Sequence, residues 1–196
     1  MRVKRADQLF DQMVEGRVYR REELVVYSRA VDRELRGLVK SGRVVKAAAG
    51  LYYRPSYSRF GARPAEPKEV VRAFLKSDEF LLTSLNYFNG LGVGLTQLTN
   101  ESIVYNRKRV GKFKLDGMNY DFQRPLNFPK PSEANEEYLF VDLLNNYENV
   151  YEPPDFFDGA LKRKASRLRK DELLKAAALY AKASANKRLM ELLRHG

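Results

Sequence analysis

Between residues 28 and 55 the spacing of apolar residues switches from helical to extended within a few positions. Val31, Leu35, Leu38 and Val39 recur at steps of four, three and one, which puts them on one stripe of an α-helix. Arg29, Asp32, Arg33, Arg36 and Lys40 fall on the other side. Gly42 stands where a helix commonly ends in a left-handed residue. Arg43-Val44-Val45-Lys46 and Leu51-Tyr52-Tyr53-Arg54 follow, separated by Ala47-Ala48-Ala49-Gly50, and read as a β-hairpin.

Upstream, residues 4–14 read as a helix with Leu9, Phe10 and Met13 on its apolar face, stopped at Gly16. Val18 and Tyr19 read as a short apolar link. Residues 20–27 read as a second, short helix with Leu24 and either Val25 or Tyr27 pointing inward. Ser28 is placed to cap the third helix, because its hydroxyl accepts a hydrogen bond from an otherwise orphaned amide. Helix, short helix, amphipathic helix, hairpin is the order of a winged helix-turn-helix, whose second paired helix enters a major groove while the hairpin follows the backbone.

In that arrangement the core stripe turns the opposite helix face toward DNA. Ser28, Arg29, Asp32, Arg33, Arg36 and Lys40 are the expected contacts on the helix. Arginine offers a bidentate fork for guanine edges or phosphates. Arg43, Lys46 and Arg54 on the hairpin are expected to hold the backbone and fix register without reading sequence. A solvated helix face with Asp32 and Glu34 diluting its charge stays open as the alternative, as does a protein-interaction module.

Charge segregation favours the nucleic-acid reading. Residues 1–60 carry 14 Lys/Arg against 7 Asp/Glu, residues 61–155 carry 11 against 14, and residues 156–196 carry 11 against 4. Two basic ends thus flank a slightly acidic middle, and a basic surface attracts polyanions. The chain has no cysteine, which excludes disulfides and thiolate metal sites and fits a reducing cytoplasm. No run of apolar residues is long enough to span a membrane, and the first residues lack the apolar segment of a secretory signal. The expected location is cytoplasmic, with no membrane partner.

Residues 55–67 hold three prolines and a glycine and read as a linker. A helix is expected from Pro67 or Lys68 to about Lys76. Thr83 is placed to cap a short helix ending near Asn89-Gly90, and Gly90, Gly92 and Gly94 read as a flexible loop. A strand over residues 102–106 and a hairpin turning at Asp116-Gly117 follow, since Asp-Gly tolerates positive φ. Residues 133–147 read as a helix. Three more are expected near 156–168, 171–183 and 185–194, with Leu161, Leu168, Leu173, Leu174, Leu179, Leu189, Leu192 and Leu193 as their core. The predicted fold class is α+β: an N-terminal winged helix-turn-helix over residues 1–60, then a mixed α+β domain over residues 61–196 ending in helices.

Catalytic chemistry finds little support. His195 is the single histidine and the penultimate residue, so no histidine-dependent triad or metal cluster is expected. The aromatic residues between 80 and 128 could stack single-stranded bases, although alternating positions on strands favour a core role. Asp155 and Asp158 precede a basic run, which leaves a metal-dependent nucleic-acid-processing enzyme as a further alternative. That run offers Lys162, Arg163, Arg167, Arg169 and Lys170 as a second basic surface, beside Leu161, Ala165 and Leu168 for packing. No cofactor, no metal and no enzymatic activity are expected.

Three segments resemble the AbiEi-type antitoxins, the regulatory halves of type IV toxin–antitoxin systems. Residues 31–55 are similar to that family's DNA-reading helix, basic hairpin and exit of the form G-x-Y-x-x-P, here Gly50, Tyr52 and Pro55. Residues 82–106 are similar to its helix–loop–strand element with a Gly-Leu and a Thr-Gln pair, and residues 112–147 to its hairpin followed by helices. The resemblance implies a repressor that binds double-stranded DNA in its own promoter. It also implies a nucleotidyltransferase-like toxin encoded next door, countered without a stable complex and with the help of the C-terminal domain. Direct neutralisation of a partner is the alternative.

Overall fold

A computed structural model describes residues 5–96, 98–150 and 156–194. It is an α+β protein whose contacts group into two units. The first takes the residues up to 78 together with 113–119, and the second takes 79–112 and the residues from 120 onward. The first therefore extends past the boundary expected at residue 60.

The first unit begins with α1 (Arg5–Gln12), β1 (Val18–Arg20), α2 (Arg21–Leu24) and α3 (Val31–Lys40). Next come β2 (Val45–Ala48) and β3 (Leu51–Tyr53). Leu9, Met13, Tyr19, Leu24, Val31, Leu35, Leu38 and Val44 form its core, so the helical stripe is buried as its period requires. Ser41 ends α3 with its amide donating to the Gly37 carbonyl, and Gly42 follows at φ +72°. That is the left-handed stop a glycine tolerates.

Local sequence misjudged several details. Val18 and Tyr19 are not a link but the start of β1, which pairs antiparallel with β3 to give the sheet order β1-β3-β2. The second helix is one turn long, so Leu24 is buried while Val25 and Tyr27, at 44% and 47% exposure, face outward. Ser28 does not cap α3. Its Oγ accepts from the Ala30 amide in the turn before the helix, and Ala30 occupies the cap position. The expected linker contains a second small hairpin, β4 (Tyr57–Ser58) with β5 (Gly61–Ala62). After it, α4 (Pro67–Leu75) opens on proline at its first position and closes at Lys76 with φ +52°.

The second unit contains β6 (Phe80–Thr83), a 3₁₀ helix over Leu85–Leu91 and β7 (Glu101–Asn106). The hairpin of β8 (Gly111–Leu115) and β9 (Met118–Gln123) is shared, its residues 113–119 counting with the first unit and the rest with the second, and the sheet order is β6-β7-β9-β8. Thr83 is a strand residue. Ser84 caps the 3₁₀ helix, accepting from the Asn86 amide. The glycine-rich loop behind it is anchored rather than free, because Val93 and Leu95 are buried in the core. Asn106, fully buried, fixes the turn after β7: its Oδ1 accepts from the amides of Lys108 and Arg109, and its Nδ2 donates to three carbonyls. Buried amides need such saturation.

Helices α5 (Glu136–Asn145), α6 (Phe157–Arg167), α7 (Lys170–Tyr180) and α8 (Ala183–Arg194) complete the unit. Phe140, Val141, Leu143, Leu161, Leu173 and Leu189 meet in their shared core. Leu174 and Leu179, expected there, are 36% and 54% exposed, since a helix packed along one stripe leaves its other apolar positions in water. Tyr120 and Phe122 are buried, which removes both from any stacking platform. No described helix is long and apolar enough to cross a membrane.

Candidate nucleic-acid interface

On α3 the face opposite the core carries Arg33, Arg36 and Lys40, all exposed, with exposed Arg29 in the turn before it. None of these four makes an ion pair with another described residue. Two features sharpen that positive face. Glu34 does not dilute it, being buried at 6% exposure with no hydrogen-bond partner for its carboxylate oxygens among the described residues. Asp32 is exposed but accepts two hydrogen bonds from Arg21, at 2.6 and 2.5 Å. These hold the Asp32 carboxyl below its ordinary range, with the positive charges of Arg21 and Arg36 acting in the same direction. The pair also ties α2 to α3.

The surroundings add to this charge. From residue 35 to residue 65 the chain has seven Lys/Arg and no Asp/Glu. Lys46 is exposed on β2. Arg43 and Arg54 are half-buried, their guanidinium carbons 4.0 and 4.3 Å from the centre of the Phe10 ring. Both contribute packing as well as charge, as stacked arginines do.

The turn between β2 and β3 is engaged internally. The Gly50 carbonyl accepts from the Arg21 amide at 2.8 Å, and the Ala47 carbonyl accepts from the Asp116 amide at 2.7 Å. Asp116 sits at the turn of β8 and β9 with φ +47°. Its carboxylate also accepts from the Tyr53 hydroxyl and from the Ala65 amide. Burial, with the Asp116 charge beside it, pushes the Tyr53 hydroxyl up to about 12. Sequence reasoning found Asp116 only as a turn former; its partners lie 63 and 51 residues away.

The second basic surface is partly committed to structure. Arg163, Arg167 and Lys170 are exposed and Lys162 is half-buried. Arg169 instead bonds the buried Glu137 through Nε at 3.1 Å and Nη2 at 3.4 Å, and these bonds hold the Glu137 carboxyl below its usual range. Of the two aspartates considered for metal chemistry, Asp155 lies outside the described residues, as does His195. Asp158 accepts from Arg188 and from the Tyr147 hydroxyl. Among the described residues no three His, Cys, Asp or Glu side chains come together as a metal site.

No protein-family model matches the sequence, and no curated protein does. Among solved structures the chain is similar to the RV2827C protein from Mycobacterium tuberculosis, at a TM-score of 0.61 and 18% identity, over 96% of this chain and 74% of that one. At that identity the similarity concerns the fold: a mixed α+β architecture shared along nearly the whole chain.

Proposed function

We propose that the protein is a cytoplasmic, non-enzymatic repressor that binds double-stranded DNA through a winged helix-turn-helix in its N-terminal region, as the antitoxin of a type IV toxin–antitoxin system. One observation carries the reading: α3 buries Val31, Leu35 and Leu38 and presents Arg33, Arg36 and Lys40 to water, with its two acidic residues buried or paired. A helix so disposed fits a major groove, where arginine reads guanine by two hydrogen bonds. The acid-free stretch around it supplies the sequence-independent attraction to phosphate. The AbiEi-type resemblance adds the physiological setting, with the protein's own promoter as target and a nucleotidyltransferase-like toxin as functional partner, countered without a stable complex.

The expected outcome of a gel-shift series on the region upstream of its own reading frame follows. Arg33→Ala or Arg36→Ala weakens specific binding by about 1–3 kcal/mol where the lost contact is a base-edge pair. Lys46→Ala weakens binding to every sequence alike and lowers the salt slope by about 1. Wild-type affinity in all three variants would remove the helix face from the interface. A stable complex with the neighbouring gene product in a pull-down would favour direct neutralisation instead.

A further inference from the structure

The small hairpin of β4 and β5 carries an aromatic and basic tip that packs against nothing in the core. Phe60 is 85% exposed and Tyr57 65%, while Arg59 and Arg63 are also exposed. The Arg59 guanidinium carbon lies 4.6 Å from the centre of the Phe60 ring. Turns usually hold small polar residues, Gly or Pro, each for a backbone reason. A phenylalanine here meets no such need and leaves its ring in water.

The tip is nevertheless well defined. The Ser58 hydroxyl accepts from the Phe60 amide at 3.2 Å and donates to the Gly61 carbonyl at 3.3 Å. The Arg63 amide donates to the Ser56 carbonyl at 2.7 Å. Gly61, at φ +105°, supplies backbone freedom that other residues rarely have. The Tyr57 hydroxyl donates to the Gly42 carbonyl at 3.4 Å, so the hairpin is rooted where α3 ends.

The larger β2–β3 hairpin is in a different position. Its turn bears only alanine and glycine side chains, and the carbonyls of Ala47 and Gly50 are already bonded. Of the two hairpins near α3, the smaller one has the free, charged tip.

We propose that the β4–β5 hairpin is a second duplex-DNA contact that enters the minor groove beside the major-groove segment taken by α3. Phe60 wedges against a base step, and Arg59 and Arg63 meet the flanking phosphates. Minor-groove proteins use apolar wedges in this way to unstack a step, and cations are favoured where the groove is narrow. The proposal rests on the DNA-binding reading of α3 and adds a site to it.

The test uses the full chain and a fluorescently labelled duplex from the region upstream of its own reading frame. In parallel duplexes 2-aminopurine replaces one adenine at a time. Phe60→Ala is expected to weaken binding about tenfold, within the range of an aromatic–base stacking contact, and to abolish the 2-aminopurine rise that the wild type gives at one step. Phe60→Leu, still an apolar wedge, is expected to retain part of both. Arg59→Ala is expected to lower the salt slope by about 0.9, one phosphate contact. Since Phe60 is exposed, the melting temperature should not change.

Wild-type affinity with an unchanged 2-aminopurine signal in Phe60→Ala would overturn the proposal. If Arg33→Ala still weakens binding in that case, the α3 reading stands and the hairpin alone falls. Absence of duplex binding by the wild type would remove both. Tighter binding to single strands than to duplex would overturn the minor-groove assignment.

Discussion

Asp142→Asn is expected to flatten the pH dependence of unfolding of the second unit between about pH 4 and pH 7. Asp142 is 2% exposed on α5. One carboxylate oxygen accepts from the Tyr105 hydroxyl at 2.7 Å and from Asn146 Nδ2 at 3.2 Å, and the other has no partner among the described residues. Burial raises its pKa from 3.8 to about 7, against the hydrogen bonds from Tyr105 and Asn146 and the positive charge of Lys182. The folded state therefore holds this proton more tightly than the unfolded state. Its contribution is full below the ordinary carboxylate value and is lost as pH rises through about 7.

A shift of that size is worth about 4 kcal/mol across the window, a large part of a typical domain's stability. Denaturant titrations of wild type and variant at several pH values measure it. Other titrating groups, such as the Glu137–Arg169 pair, are common to both proteins and cancel in the difference. Parallel pH profiles would show that Asp142 is not the group responsible.

Leu35→Ala is expected to destabilise the first unit by about 2–5 kcal/mol, the range for removing a buried leucine and leaving a cavity. Leu35 is 1% exposed, in the cluster with Leu9, Met13, Leu24 and Leu38. Its neighbour Arg36 is exposed, so Arg36→Ala should leave the denaturation midpoint within about 0.5 kcal/mol of wild type. Under the proposed DNA-binding role the two variants separate folding from contact: both are expected to weaken binding, and only the first to lose stability. Equal midpoints would mean that α3 does not rest on its apolar stripe.

What was legible in the sequence was short-range. The stripe of Val31, Leu35 and Leu38, the stop at Gly42, the turn at Asp116-Gly117 and the run of C-terminal helices each follow from residues a few positions apart. What was missed depends on distant partners. Three residues of β1 make a strand only because Val18, Tyr19 and Arg20 pair with Tyr53, Tyr52 and Leu51. Glu34, expected on the solvated face of its helix, is buried, and so is Asp142. For Asp142 a signal existed: it is the only charged residue between Tyr138 and Leu144, in an otherwise apolar run. Of the candidate contacts, the exposed cations of α3 were placed from periodicity alone. The stacking of Arg43 and Arg54 on Phe10 was not, because Phe10 lies on α1, more than 30 residues from both in the sequence.

The return of residues 113–119 to the first unit sets a condition on transplanting that unit elsewhere. A polypeptide cut after residue 78 leaves behind the aspartate that receives the Tyr53 hydroxyl and the amide that caps the Ala47 carbonyl. Each orphaned group costs about 1–3 kcal/mol where it stays buried. A graft of the amino-terminal portion should melt well below the parent unless the strip around Asp116 is supplied with it, on a splice of its own.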